Sequence, residues 1–84
     1  MNWTQIKSQF PNCWVLVGVL SAHNEGDFRY PNDMEVLENF PDSVAAMKRY
    51  RELHLQDRQR EMLVLHTSRE AVEIEERRWV GVRA

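Results

Sequence analysis

Apolar positions along this chain fall into three rhythms, each predicting a different element. Trp3, Ile6 and Phe10 recur at i, i+3 and i+7, a helical spacing that Pro11 and Asn12 terminate. Residues 13–22 (CWVLVGVLSA) then run apolar, without polar alternation and rich in β-branched side chains, as expected of a strand buried on both faces. His23 to Asp27 carry turn chemistry, and Pro31, Asn32 and Asp33 add a second break before a strand at Met34 to Phe40. In that strand Met34, Val36 and Phe40 alternate with Glu35 and Asn39, while Glu38 interrupts the apolar set and Leu37 sits opposite.

Beyond Pro41, Asp42 is placed to cap a helix running to about Gln56. Ala46, Met47, Tyr50, Leu53 and His54 form the stripe expected to pack on the sheet, and Lys48, Arg49, Arg51 and Glu52 point away from it. After the polar connection Asp57 to Arg60, Met62 to His66 (MLVLH) reads as a third, compact strand. Thr67 and Glu70 match a capping box, which predicts a helical turn there. Val72 to Arg83 reads as a last strand whose charged middle suits an edge or an interface.

The element order α-β-β-α-β-β predicts a single α+β domain over residues 1–84. Its expected core is a four-stranded, mostly antiparallel sheet with one long helix packed on one face and a short N-terminal helix. With the first strand inside, the spatial order is 2-1-3-4, or 2-1-4-3 with the last strand parallel to the first. The long helix covers one sheet face, yet Trp14, Leu16 and Leu20 oppose Val15, Val17 and Val19 on the other. That second face needs a cover, either the N-terminal helix or another subunit.

Composition narrows the classes. At 43% hydrophobic and 29% charged residues the balance is that of a folded protein, and a chain of 84 residues encloses one modest core. A formal charge of −2 gives no global attraction to phosphate backbones or anionic membranes, so nucleic-acid binding needs a local patch. Cys13 is the only cysteine; it excludes an intramolecular disulfide, fits a reducing, cytoplasmic setting, and reads as a buried, inert thiol. The N-terminus MNWTQIKSQF lacks the basic-then-apolar form of a secretory signal, and the apolar run Cys13 to Leu20 is too short to cross a bilayer.

Candidate chemistry is sparse. His23, His54 and His66 match no metal-ligand spacing, so no metal or cofactor is expected. The polar cluster His66, Thr67, Ser68, Arg69 and Glu70 is explained by capping, because neighbouring strand residues point to opposite faces and do not align a nucleophile with its base. His23, Glu25 and Asp27 are too few oxygens for an EF-hand and are read as turn formers. Arg49, Arg51, Arg58 and Arg60 are interleaved with Glu52, Asp57 and Glu61, the pattern of a solvated, salt-bridged face. Three glycines, Gly18, Gly26 and Gly81, build no phosphate-cradling loop.

The strand Trp14-Val15-Leu16-Val17 and the strings AMKRYRELH (46–54), HTSRE (66–70) and IEERRWVGVR (74–83) give the chain a further aspect: it resembles a family of short uncharacterised bacterial proteins. The resemblance implies a bacterial cytosolic protein and carries no assigned activity. The leading expectation is therefore a noncatalytic protein-interaction or assembly module, acting as a homodimer or as a small partner subunit through Trp3, Phe10, Trp79 and Val80. Two alternatives stand beside it. One is a regulator contacting nucleic acid through Arg49, Arg51, Arg58 and Arg60. The other is a small enzyme or enzyme subunit using His54 or His66 as general acid/base, with Arg69 orienting an anionic substrate.

Overall fold

The computed structural model describes residues 1–75. Helix α1 (Trp3–Gln9) begins with a reciprocal cap: the Asn2 side chain accepts from the Gln5 backbone N–H and the Gln5 side chain accepts from the Asn2 N–H, both at 2.9 Å. The chain leaves α1 through Asn12, whose φ of 54° is a left-handed conformation that asparagine tolerates better than most residues.

Strands β1 (Trp14–Glu25) and β2 (Phe28–Phe40) form a long antiparallel hairpin closed by Gly26 and Asp27. Gly26 has φ of +60°, the requirement of the first central position in a type II′ turn. β2 thus starts six residues before the expected Met34, because Pro31 sits within the strand rather than before it. Proline is accommodated here because the pairing skips Asn32, leaving a bulge beside it.

Helix α2 (Ser43–Gln56) starts at Asp42, whose side chain accepts from the Ala45 N–H at 2.8 Å. β3 (Met62–His66) pairs antiparallel with β1, giving a body of three strands in the order β3-β1-β2. A two-residue strand, β4 (Ile74–Glu75), lies antiparallel beside Phe28 and Arg29 on the far side of β2. The described residues therefore form an α+β structure of two helices and an antiparallel sheet. Neither expected order holds, since the last strand joins β2 and not β3 or the far side of β1. Only Ile74 and Glu75 of the expected strand Val72 to Arg83 are a strand among the described residues; 76–84 lie outside them.

The physical reason is the path of the preceding segment. Trp3 Nε1–H donates to the Arg69 carbonyl at 2.7 Å, Lys7 Nζ donates to the Glu70 carbonyl at 3.1 Å, and Val72 is buried. These ties draw residues 69–73 along α1 and deliver the chain to the β2 side.

Two cores result, one on each face of β1. Val15 and Val17 pack with Trp3, Ile6, Met34, Leu65 and Val72, and Leu16 packs with Phe40, Ala46 and Met62. The second sheet face is thus covered from within, by α1 and the strap after β3. β2 contributes to both cores because the register skips Leu37, which resets its side-chain parity. Met34 and Val36 lie on the α1 face, whereas Leu37 and Phe40 lie on the α2 face. That bulge also accounts for the apparent interruption at Glu38, which pairs with Leu16 on the α2 face and meets Arg49 at 3.3 Å.

Two ion pairs brace the hairpin. Arg60 and Glu35 join across Gly18, where an added Cβ would lie 3.4 Å from both side chains, in ordinary van der Waals contact. Arg29 grips Glu61 through two hydrogen bonds, of 2.8 and 2.7 Å, tying the hairpin arm to the residue before β3. Hydrogen bonding to Arg29 holds the Glu61 carboxyl below its ordinary value of 4.5, against the opposing effect of burial. The carboxylate therefore stabilises the fold above that value, and the contribution is lost as pH falls through the lowered folded-state value. Glu61→Gln is expected to flatten the acid limb of a urea-midpoint profile below pH 4.5. The effect should be at most about 1 kcal/mol for a partly solvated pair. An unchanged acid limb would contradict it.

Candidate functional site

The histidine and arginine positions do not converge. His66 is on β3, and its ring meets Trp14 edge-on with centroids 5.1 Å apart on the α2 side of the sheet. The Ser68 backbone N–H donates to His66 Nδ1 at 3.2 Å, which makes that nitrogen an acceptor, and Ser68 Oγ lies 2.8 Å from it. The turn at 67–69 thus brings a hydroxyl to an imidazole, which the expected strand geometry did not allow. No carboxylate among the described residues hydrogen-bonds the His66 ring to orient it as a base, the third member such a pair needs.

Arg69 lies on the α1 side. Its guanidinium folds back on its own turn, Nε–H donating to the Ala71 carbonyl at 3.0 Å and an Nη2 hydrogen to the Glu73 carbonyl at 3.3 Å. His54, in the last turn of α2, stacks on Tyr50 at 5.7 Å, with its Nδ1 buried and without a hydrogen-bond partner among the described residues. It acts as an aromatic face.

The expected cap at Thr67 and Glu70 is replaced by a different use of the same residue. Thr67 is buried, its Oγ1 accepts from the Cys13 N–H at 3.0 Å, and its own N–H donates to the Cys13 carbonyl at 2.9 Å. The threonine extends the β1–β3 ladder by one residue and locks where β1 begins, so no helical turn follows. Cys13 itself is half-buried rather than buried, and its thiol lies 3.4 Å from the Phe10 carbonyl. Thr67→Val, which keeps the shape and removes the acceptor, should cost about 1–3 kcal/mol through the Cys13 N–H left unpaired. A urea midpoint unchanged by this substitution would show the bond to be dispensable.

Of the proposed interaction residues, Trp3 is buried in the α1 core and Phe10 is half-buried against it. Trp79 and Val80 lie outside the described residues. Of the basic residues, Arg49 is held by Glu38 and Glu52, and Arg60 by Glu35. No group of three potential metal ligands exists among the described residues, and no described helix is long and apolar enough to cross a membrane.

Among the described residues, what is left uncovered is the outer face of α2 and the edge beside it. Val44 is 78% exposed, Leu55 63% and Met47 46%, so Met47 departs from the stripe expected to pack on the sheet. A groove of about 310 Å³ is lined by Met47, Tyr50, Met62, Leu63 and Val64. It adjoins a hollow of about 410 Å³ between Ser43, Val44, Met47, Lys48 and Arg51, the two sharing Met47. Neither is lined by His54, His66 or Arg69.

The two edges of the sheet differ sharply. β2's outer edge is occupied at Met34, whose N–H donates to the Met1 carbonyl at 2.8 Å while the Met1 nitrogen donates to the Met34 carbonyl at 2.7 Å. β4 occupies the same edge at Phe28 and Arg29, and the strand also carries Pro31, bulges and Glu35 and Glu38. These features discourage strand addition. β3 carries none of them over Met62–His66: no Lys, Arg, Asp or Glu, no proline, no bulge and no covering strand among the described residues.

The chain matches no family model, no curated protein and no solved structure. The resemblance to short bacterial proteins gains no support from these comparisons.

Proposed function

We propose that this protein is a noncatalytic assembly module that works as a homodimer, using the surface formed by α2 and β3. The observation that carries this reading is the contrast between the guarded edge of β2 and the apolar edge of β3, which no described strand covers and which the Met47 groove borders. An edge of unpaired backbone groups next to exposed apolar side chains favours association with another chain. The basis differs from the one the sequence suggested, since the sheet face that seemed to need a second subunit is covered by α1. Trp3 accordingly serves the protomer's own core.

Sedimentation velocity from low to high micromolar concentration tests the reading. The expected result is a concentration-dependent shift from monomer to dimer. A single monomeric species throughout would overturn it.

A further inference from the structure

We infer that two copies of this chain join β3 to β3 antiparallel, about a two-fold axis passing through Val64, to make one continuous sheet. The inference rests on the homodimer reading and specifies its interface. In an antiparallel ladder, opposed residues alternate between pairs that exchange backbone hydrogen bonds and pairs that do not. The Val19 N–H donates to the Glu61 carbonyl and the Thr67 N–H to the Cys13 carbonyl, both at 2.9 Å. With the register Trp14↔His66 through Gly18↔Met62, this parity turns the backbone groups of Leu63 and Leu65 toward β1. Those of Met62, Val64 and His66 face outward, with the His66 carbonyl also accepting from the Arg69 N–H at 3.1 Å.

These outward groups are symmetric about Val64. Antiparallel pairing centred there sets Val64 against Val64 of the second copy and Met62 against His66 of the second copy, on both sides of the axis. Every outward N–H and C=O of the strand is then set against its complement, the His66 carbonyl using its second lone pair. Registers displaced by one residue of centre leave part of the set unpaired. The pairing opposes no like charges, since no Lys, Arg, Asp or Glu lies within Met62–His66. An isologous contact of this kind closes on itself, so assembly stops at two.

A strand pair alone is smaller than the roughly 800 Å² per partner typical of stable interfaces. The α2 face supplies the remainder. A two-fold axis normal to the sheet keeps both α2 helices on one side of the junction, where each lies beside a groove lined by Met47, Tyr50, Met62 and Val64. That groove takes apolar side chains of the second copy.

Val64→Pro tests the interface. Proline removes an N–H that makes no bond within the protomer, and edge strands accept proline where the N–H faces outward. The variant is expected to keep its circular dichroism spectrum while its dimer affinity falls on the order of a hundredfold, through two lost hydrogen bonds on the axis. Amide exchange on the unmodified protein gives an independent readout, which decides if the variant does not fold. Met62, Val64 and His66 should be protected at dimer concentrations and lose protection on dilution, while Leu63 and Leu65 stay protected throughout.

A dimer that withstands V64P in a folded variant overturns this interface and leaves the homodimer reading intact. So does an exchange pattern in which the three amides do not respond to dilution. An unmodified chain that stays monomeric removes both.

Discussion

Trp3→Ala is expected to lower the unfolding free energy by about 3–5 kcal/mol, the range for removing a buried tryptophan. The whole stability of an 84-residue chain is on the order of 4–13 kcal/mol, so the variant should sit close to unfolding. Two consequences of the substitution combine. α1 has seven residues, too short to persist as a helix in water, so it exists because Trp3 and Ile6 dock it on Val15 and Val17. The indole N–H also holds the Arg69 carbonyl at 2.7 Å, so loss of the ring frees the strap that carries Val72. Trp3→Phe separates the two effects. It keeps much of the burial and loses the hydrogen bond, at about 1 kcal/mol. Urea unfolding measures both variants, and a loss below about 1 kcal/mol for Trp3→Ala would contradict the role given to the ring.

Leu16→Ala should cost about 2–5 kcal/mol for a different reason. Leu16 is fully buried on the opposite face of β1, packed with Phe40, Ala46 and Met62 beneath α2. Its removal leaves a cavity that the rigid strand cannot close, and loosens the one helix that has an exposed apolar face. The dimer should weaken with the fold in this variant, because the groove beside β3 is built on the same helix. By contrast, Trp3→Phe should leave the dimer unchanged. Urea unfolding followed by sedimentation distinguishes the two, and a Leu16→Ala protein of unaltered stability would remove Leu16 from the core it is assigned to.

The sequence made legible the elements whose signals are local. Trp3, Ile6 and Phe10 with Asn12 bounded α1, Asp42 capped α2, and the unbroken apolar run marked β1 as buried on both sides. Elements set by pairing were not legible. Skipped residues at Leu20, Asn32 and Leu37 change the parity of a strand without leaving a local signature, so Phe40 reads as Met34's companion although it belongs to the other core. Thr67 and Glu70 have the spacing of a cap, but Thr67 Oγ1 is taken by a backbone N–H 54 positions away. β4 follows the same logic, since its place beside β2 depends on an indole hydrogen bond between Trp3 and Arg69.

The candidate surface was legible only in outline. Val44, Met47 and Leu55 fall on the helix face opposite Ala46 and Leu53, and MLVLH lacks charged gatekeepers, but which edge β3 leaves open follows from strand order. The pairing of His66 with Ser68 was missed because it arises in a turn rather than along a strand.

The bulge at Leu37 gives β2 one residue that its pairing with β1 does not use. A substitution there changes one side chain at a boundary between layers. Deleting the same residue restores strict alternation and leaves an odd number of steps from Met34 to Phe40, so Phe40 keeps its place against Leu16 and Ala46. One missing codon there would thus straighten the strand while each apolar side chain stays in its own core, and most replacements at that position would likewise leave both cores filled.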